Sequence, residues 1–162
     1  MGQRQATIHA ATESIAGLRG TRLVAVADLI ETDAEGGPAG QGRYLNGAIG
    51  IDTELSPTEL MAELLRIERE LGRIRAGAVR NGPRVIDLDL LLYGDEVVAD
   101  EGGAEGRGLT VPHPRMQDRR FVLEPLAQIA PDAWHPLRHA TVAEMLKALP
   151  AQHAATRAFS GS

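Results

Sequence analysis

Asp87 and Asp89 stand two residues apart in Arg84-Val-Ile-Asp87-Leu-Asp89-Leu-Leu-Leu-Tyr93, a run otherwise dominated by Val, Ile, Leu and Tyr. Asn81-Gly-Pro83 precedes the run and Gly94-Asp95 follows it, so it reads as a buried strand between two turns. Side chains alternate along a strand, which puts both carboxylates on one face with Cα atoms about 6.5 Å apart at a rise of about 3.3 Å per residue. Ile86, Leu88 and Leu90 then face a core. Two carboxylates this close on an apolar strand repel each other and are costly to desolvate, so the pattern calls for a cation. Arginines could serve as structural ion-pair partners, or a divalent metal could be held. Arg66, Arg69, Arg73, Arg75, Arg80 and Arg84 lie just upstream. Guanidinium groups suit bidentate phosphate contacts, and Mg²⁺ held by one or two carboxylates completes its shell with water and substrate phosphates. Together these residues describe a polyphosphate site.

The elements that must position this strand are legible around it. Ile8, Ala11, Ile15 and Leu18 recur at helical spacing from Gln3 to Leu18, with Gly20 as a stop. Arg22 to Ile30 reads as a strand, Glu31 to Gly42 as a loop rich in Gly, Pro and Asp, and Tyr44 to Asp52 as a second strand. Ser56-Pro57-Thr58-Glu59 is a capping box with proline at the first helical position. The helix it opens turns Leu60, Leu64, Ile67 and Leu71 inward and is expected to end at Gly72, with Arg73 to Pro83 a loop leading to the Asp strand. Beyond that strand, Glu96 to Gly108 predicts a short strand and an acidic turn, and the prolines of Leu109 to Pro114 predict extended chain. Gln117 to Ala130 reads as a helix interrupted near Pro125, Thr141 to Leu149 as a final short helix, and residues 151–162 as a tail. Residues 1–150 are expected to form a single domain. The class is α+β: an antiparallel, ferredoxin-like sheet flanked by helices, with the first strand of that pattern missing from the chain.

Several segments resemble 6-hydroxymethyl-7,8-dihydropterin pyrophosphokinases in order and spacing. They are Glu31-Thr32, Tyr44-Leu-Asn46, Arg66-Ile-Glu68 with Gly72-Arg73, Arg80-Asn-Gly-Pro-Arg84-Val-Ile-Asp87-Leu-Asp89, Leu109-Thr-Val-Pro-His113-Pro and Arg119-Arg-Phe121-Val-Leu. The resemblance spans roughly residues 2 to 148 and implies an ATP-dependent diphosphotransferase of folate biosynthesis, transferring pyrophosphate from ATP to the pterin alcohol and releasing AMP. It implies that Asp87 and Asp89 hold two Mg²⁺ ions and that Arg73 and Arg75 lie in a loop closing over the reactants. It also implies that Glu68, Arg84, Thr110, His113 and Arg119 serve ATP, and that Thr32, Tyr44, Asn46 and Phe121 serve the pterin. Asp33, Asn81 and Gly108 depart from common family residues, with Arg107 able to compensate for the last. Met1-Gly2-Gln-Arg4 begins where the family has Leu-Gly-x-Arg, after a first strand. The expectation is that Met1 is internal to a longer chain; the alternative is an inactive or weakly active nucleotide- or pterin-binding relic.

Composition removes other classes. A formal net charge of -5 gives no basic stripe for nucleic acid. Zero cysteines exclude disulfides and thiolate metal sites. No apolar run approaches about 18 residues. The expectation is a cytoplasmic, monomeric enzyme using small-molecule substrates, with no membrane partner. His9, His135, His139 and His153 carry no motif, and Trp134 is expected in the core or at a lid edge.

Overall fold

The computed structural model describes residues 2–32, 44–75, 86–102 and 108–150. Among the described residues, four α-helices and eight strands run in the order α1 (Gly2–Ala16), β1 (Thr21–Val26), β2 (Ile30–Thr32), β3 (Tyr44–Asn46), β4 (Ile49–Thr53), α2 (Pro57–Arg75), β5 (Val98–Asp100), β6 (Leu109–Val111), α3 (Arg120–Ile129), β7 (Trp134–His135), β8 (Ala140–Thr141) and α4 (Val142–Ala148). A 3-10 turn at Met116–Asp118 precedes α3. The fold is α+β, as expected, and the strands pair in four two-stranded antiparallel ladders: β1 with β4, β2 with β3, β5 with β6 and β7 with β8.

Two apolar clusters form the core. The first joins Ala11, Ile15 and Leu18 around α1 to Leu60, Leu64 and Ile67 of α2, with Ile49 and Ile51 of β4 packed on them. The second joins Met116, Leu123 and Leu126 to Val142 and Met145 of α4. The helical stripes read from the sequence are therefore the buried ones. The capping box is also formed: the Ser56 hydroxyl accepts the Glu59 N–H at 3.1 Å, and the Glu59 carboxylate accepts the Ser56 N–H at 2.9 Å. Gly20 ends the α1 turn with φ +63°, and a Cβ there would lie 3.0 Å from the Glu54 carboxylate, so glycine is favoured.

Six expectations are corrected. Residues 86–93 belong to no ladder among the described residues. Alternation survives over residues 86–90, where Ile86, Leu88 and Leu90 pack on the first cluster and Asp87 and Asp89 are exposed; beyond Leu90 it stops, with Leu91 and Leu92 on the second cluster and Tyr93 on the first. Side-chain burial holds the segment between the two clusters. Second, α2 runs through Gly72 to Arg75; Gly72 is absent from the positive-φ glycines, so the left-handed stop is not made. Third, the strand expected over residues 22–30 ends at Val26 and resumes at Ile30, and its partner breaks at residues 47–48. The Leu29 side chain lies over Gly47, where a Cβ would meet it at 2.7 Å, and Ala27 N–H donates to Ala48 C=O at 2.9 Å across the break. Fourth, α3 continues through Pro125, which is buried with Leu123 and Leu126, so packing offsets the missing N–H. Fifth, the hairpin β7–β8 has no counterpart among the expected elements; its tip is closed by His139 N–H donating to His135 C=O at 2.9 Å. Sixth, of the two places expected for Trp134 the core is the one corrected: the residue is 42% exposed, edge-on to His139.

Candidate active site

Asp87 and Asp89 are both exposed, while Ile86, Leu88 and Leu90 on either side are half-buried. The carboxylates therefore share the solvent face that the alternation predicted. Three bonds other than ladder bonds fix the segment that carries them. The Leu88 N–H donates to Glu68 Oε2 on α2 at 2.5 Å. The His113 N–H donates to Leu91 C=O at 2.9 Å. The Tyr93 hydroxyl donates to Leu55 C=O, just ahead of α2. The middle and the far end of the carboxylate segment are thus tied to neighbouring elements.

The second of these bonds brings the Pro-His-Pro turn beside the carboxylates. His113 Nδ1 accepts the Arg115 N–H at 3.2 Å, which assigns the imidazole proton to Nε2. Burial is the largest influence on His113 and pushes its pKa below the ordinary 6.5; Asp89 pulls it up, while Arg119 and Arg115 push it further down. Desolvation and the two guanidinium groups outweigh the carboxylate, so His113 is neutral near pH 7 and offers one N–H donor at Nε2. Arg119 lies with its guanidinium carbon 5.5 Å from the centre of the Phe121 ring. Its Nε is buried without a hydrogen-bond partner among the described residues. A buried donor left in that state is costly unless another group meets it. An anionic ligand oxygen has the chemistry to do so.

A polar pair stands on the β2–β3 ladder. Asn46 Nδ2 donates to Thr32 Oγ1 at 2.8 Å, and Tyr44 is the register partner of Thr32. This ladder packs against α3, the helix that carries Phe121. The Asp28 N–H just before β2 donates to Gln128 on α3 at 2.9 Å. Thr110 is exposed on β6 opposite Ala99.

Asp89, His113 and Arg119 are thus brought into one electrostatic neighbourhood, Glu68 is joined to the backbone between the two aspartates, and Thr32 is joined to Asn46. Arg84, Asp33, Asn81 and Arg107 lie outside the described residues, as do the side chains of Arg73, Arg75 and Tyr44. Sequence reasoning missed Tyr93, Arg115 and Gln128 as positioning groups. Tyr93 had a signal, because it closes the carboxylate run, but a backbone N–H at Arg115 and an exposed amide at Gln128 had none.

Among the described residues, no three His, Asp or Glu side chains converge as a metal-binding group. A cation here would take at most Asp87 and Asp89 from these residues. That donor set suits an oxygen-seeking ion that keeps water and phosphate oxygens in its shell, which is the habit of Mg²⁺. No helix among the described residues is long and apolar enough to cross a membrane.

Sequence comparisons agree with one another. A sequence model of the 7,8-dihydro-6-hydroxymethylpterin-pyrophosphokinase family matches residues 1–131. The chain is 44% identical over 144 residues to the 2-amino-4-hydroxy-6-hydroxymethyldihydropteridine pyrophosphokinase of Pseudomonas aeruginosa, covering 88% of this chain and 82% of that one. The protein of the same name from Haemophilus influenzae is 43% identical over 125 residues, covering 77% of this chain and 72% of that one. A folic acid synthesis protein of Schizosaccharomyces pombe is 38% identical over 155 residues, which cover 94% of this chain and 20% of that much longer one.

Proposed function

Because this chain belongs to the 7,8-dihydro-6-hydroxymethylpterin-pyrophosphokinase family, we propose that the face carrying Asp87 and Asp89 is where its reaction takes place. The function is transfer of pyrophosphate from ATP to 6-hydroxymethyl-7,8-dihydropterin, a step of folate synthesis. The enzyme is a diphosphotransferase. The observation that carries the assignment of the face is the pair of exposed carboxylates with a neutral His113 and Arg119 beside Asp89.

In the reaction the pterin hydroxymethyl oxygen bonds to the β-phosphorus of ATP. The bond from that phosphorus to the oxygen shared with the α-phosphate breaks, AMP leaves with the electron pair, and the hydroxyl proton passes to solvent. Such transfers depend mainly on positioning and on neutralising the charge spread over the phosphoryl oxygens. Asp87 and Asp89 would hold Mg²⁺, two ions in this reading, which when bound supplies charge neutralisation and polarises the β-phosphate. His113 donates its Nε2–H to a phosphate oxygen and cannot act as the base through Nδ1, which already accepts the Arg115 N–H. Arg119 adds positive charge on the same side, with Phe121 beneath its guanidinium group. Arg84 and Thr110 complete the ATP-binding set in this reading, and Arg73 and Arg75 belong to the catalytic set with the two aspartates. Thr32, Tyr44, Asn46 and Phe121 form the pterin-binding set, supported by the Asn46–Thr32 bond and the packing of their hairpin on the Phe121 helix. A single domain over residues 1–150, a monomeric state and a cytoplasmic setting go with this reading.

The test is product identity. Phosphorus NMR of a mixture of ATP, Mg²⁺, 6-hydroxymethyl-7,8-dihydropterin and the protein should show AMP and a pterin diphosphate in equal amounts. ADP with a pterin monophosphate would overturn the reading, and so would ATP consumption that ignores the pterin.

A further inference from the structure

Leu88 lies between the two aspartates, and its N–H is held by the Glu68 carboxylate from α2, across 20 residues of sequence. The anchor is itself well fixed. Glu68 follows Ile67, which is 1% exposed in the first core cluster, and Leu64 and Leu65 of the same helix are buried. Leu88 packs on that same cluster, so both ends of the bond rest on one core.

The geometry gives this bond a role that a surface contact would lack. The N–H of Leu88 belongs to the peptide unit joining Asp87 to Leu88, and turning that unit changes the directions in which both flanking Cα–Cβ bonds point. In a paired strand the ladder would fix the unit, but residues 86–93 have no ladder among the described residues. The other two anchors act at Leu91 and Tyr93, beyond both aspartates. Among the bonds of the described residues, the Glu68 bond is the one that reaches the Leu88 N–H between them.

From this placement we infer that Glu68 is a positioning residue for pyrophosphate transfer, holding the Asp87–Leu88 peptide so that the two carboxylates stay on one face. The inference rests on the reading of Asp87 and Asp89 as the site of transfer. It differs from a direct contact between Glu68 and the nucleotide, because here the carboxylate acts through the backbone and needs an acceptor oxygen but not a negative charge.

The test compares Glu68→Gln with Glu68→Ala. Glutamine keeps an acceptor oxygen at the same reach, whereas alanine removes it. Amide hydrogen exchange at Leu88, measured by NMR on the substrate-free protein, reads the bond without relying on activity, and the Ile67 amide serves as the folding control. The Ala variant should exchange at Leu88 about tenfold faster or more, with Ile67 unchanged, and should lose about 10- to 100-fold in kcat with KM for ATP within about threefold. The Gln variant should recover most of both. Unchanged exchange at Leu88 in the Ala variant would overturn the inference, as would a Gln variant as impaired as Ala, or a loss concentrated in KM for ATP. Wild-type protein that forms no AMP with the pterin overturns the functional reading and the positioning role with it. Wild-type turnover with an unprotected Leu88 amide overturns the inference alone.

Discussion

Replacing Tyr93 by Phe removes one hydroxyl from the end of the carboxylate segment and leaves the ring that packs on the first core cluster. The hydroxyl donates to Leu55 C=O, and Leu55 is only 5% exposed, so water cannot readily take over the acceptor. A buried carbonyl left without its donor costs about 1–3 kcal/mol. For a chain of this size each kcal/mol moves the melting temperature by about 2–4 °C. The expected fall is therefore about 2–12 °C, read by calorimetry or by circular dichroism with the wild type in parallel. Activity measured well below the transition should fall by less than about tenfold, because Glu68 and the His113 N–H still hold the middle of the segment. A melting temperature equal to wild type would refute the argument that side-chain anchors replace a ladder here. Unchanged melting with a loss of activity beyond about 100-fold would move the Tyr93 hydroxyl from the fold into the chemistry.

Two more outcomes follow from the histidines. His113→Ala should lower kcat/KM for ATP by about tenfold or more with little change in melting, since the bond to Leu91 uses the backbone N–H that alanine retains; an unchanged kcat/KM would remove His113 from the site. His135 is 3% exposed, and its Nδ1 accepts the N–H groups of Leu137 and Arg138 at 3.2 and 3.1 Å. Burial first, then Arg138, pushes its pKa below the ordinary 6.5. The unfolded chain therefore binds a proton that the folded one refuses, so this stabilisation is complete above about pH 6.5 and is lost as pH falls towards the folded value. His135→Asn keeps an acceptor in the turn and removes the titration. Its unfolding free energy should fall less steeply than wild type from about pH 7 to about pH 5, and equal slopes in urea titrations would contradict this.

What could be read in advance was local. Ser56 and Glu59 satisfy each other within one turn, so their types and spacing were enough to place the start of α2. The stripes Ala11–Ile15–Leu18 and Leu60–Leu64–Ile67 follow from helical period alone and are buried as expected. The shared face of Asp87 and Asp89 follows from alternation, which residues 86–90 keep without pairing among the described residues. What could not be read depended on distant partners. Whether the carboxylate run joins a ladder is decided by neighbours, not by its own β-branched and apolar content. At the break between β1 and β2, Leu29 packs over Gly47 in the gap between β3 and β4, a contact between residues distant in sequence. The β7–β8 hairpin has two residues per strand and closes on His139 at φ 54°, without the glycine or asparagine that marks such turns. The neutral state of His113 is set by burial and by Arg119 and Arg115, which motif matching does not reveal.

The central claim is that the exposed carboxylates of residues 87 and 89 carry the transfer. The most direct measurement is pterin-dependent AMP release from ATP and Mg²⁺ by the wild type, Asp87→Asn and Asp89→Asn, each checked for an unchanged melting temperature. The account predicts AMP formation that requires the pterin in the wild type and a loss of at least about 100-fold in each variant. A folded Asp87→Asn or Asp89→Asn variant that keeps more than about a third of the wild-type rate would contradict it.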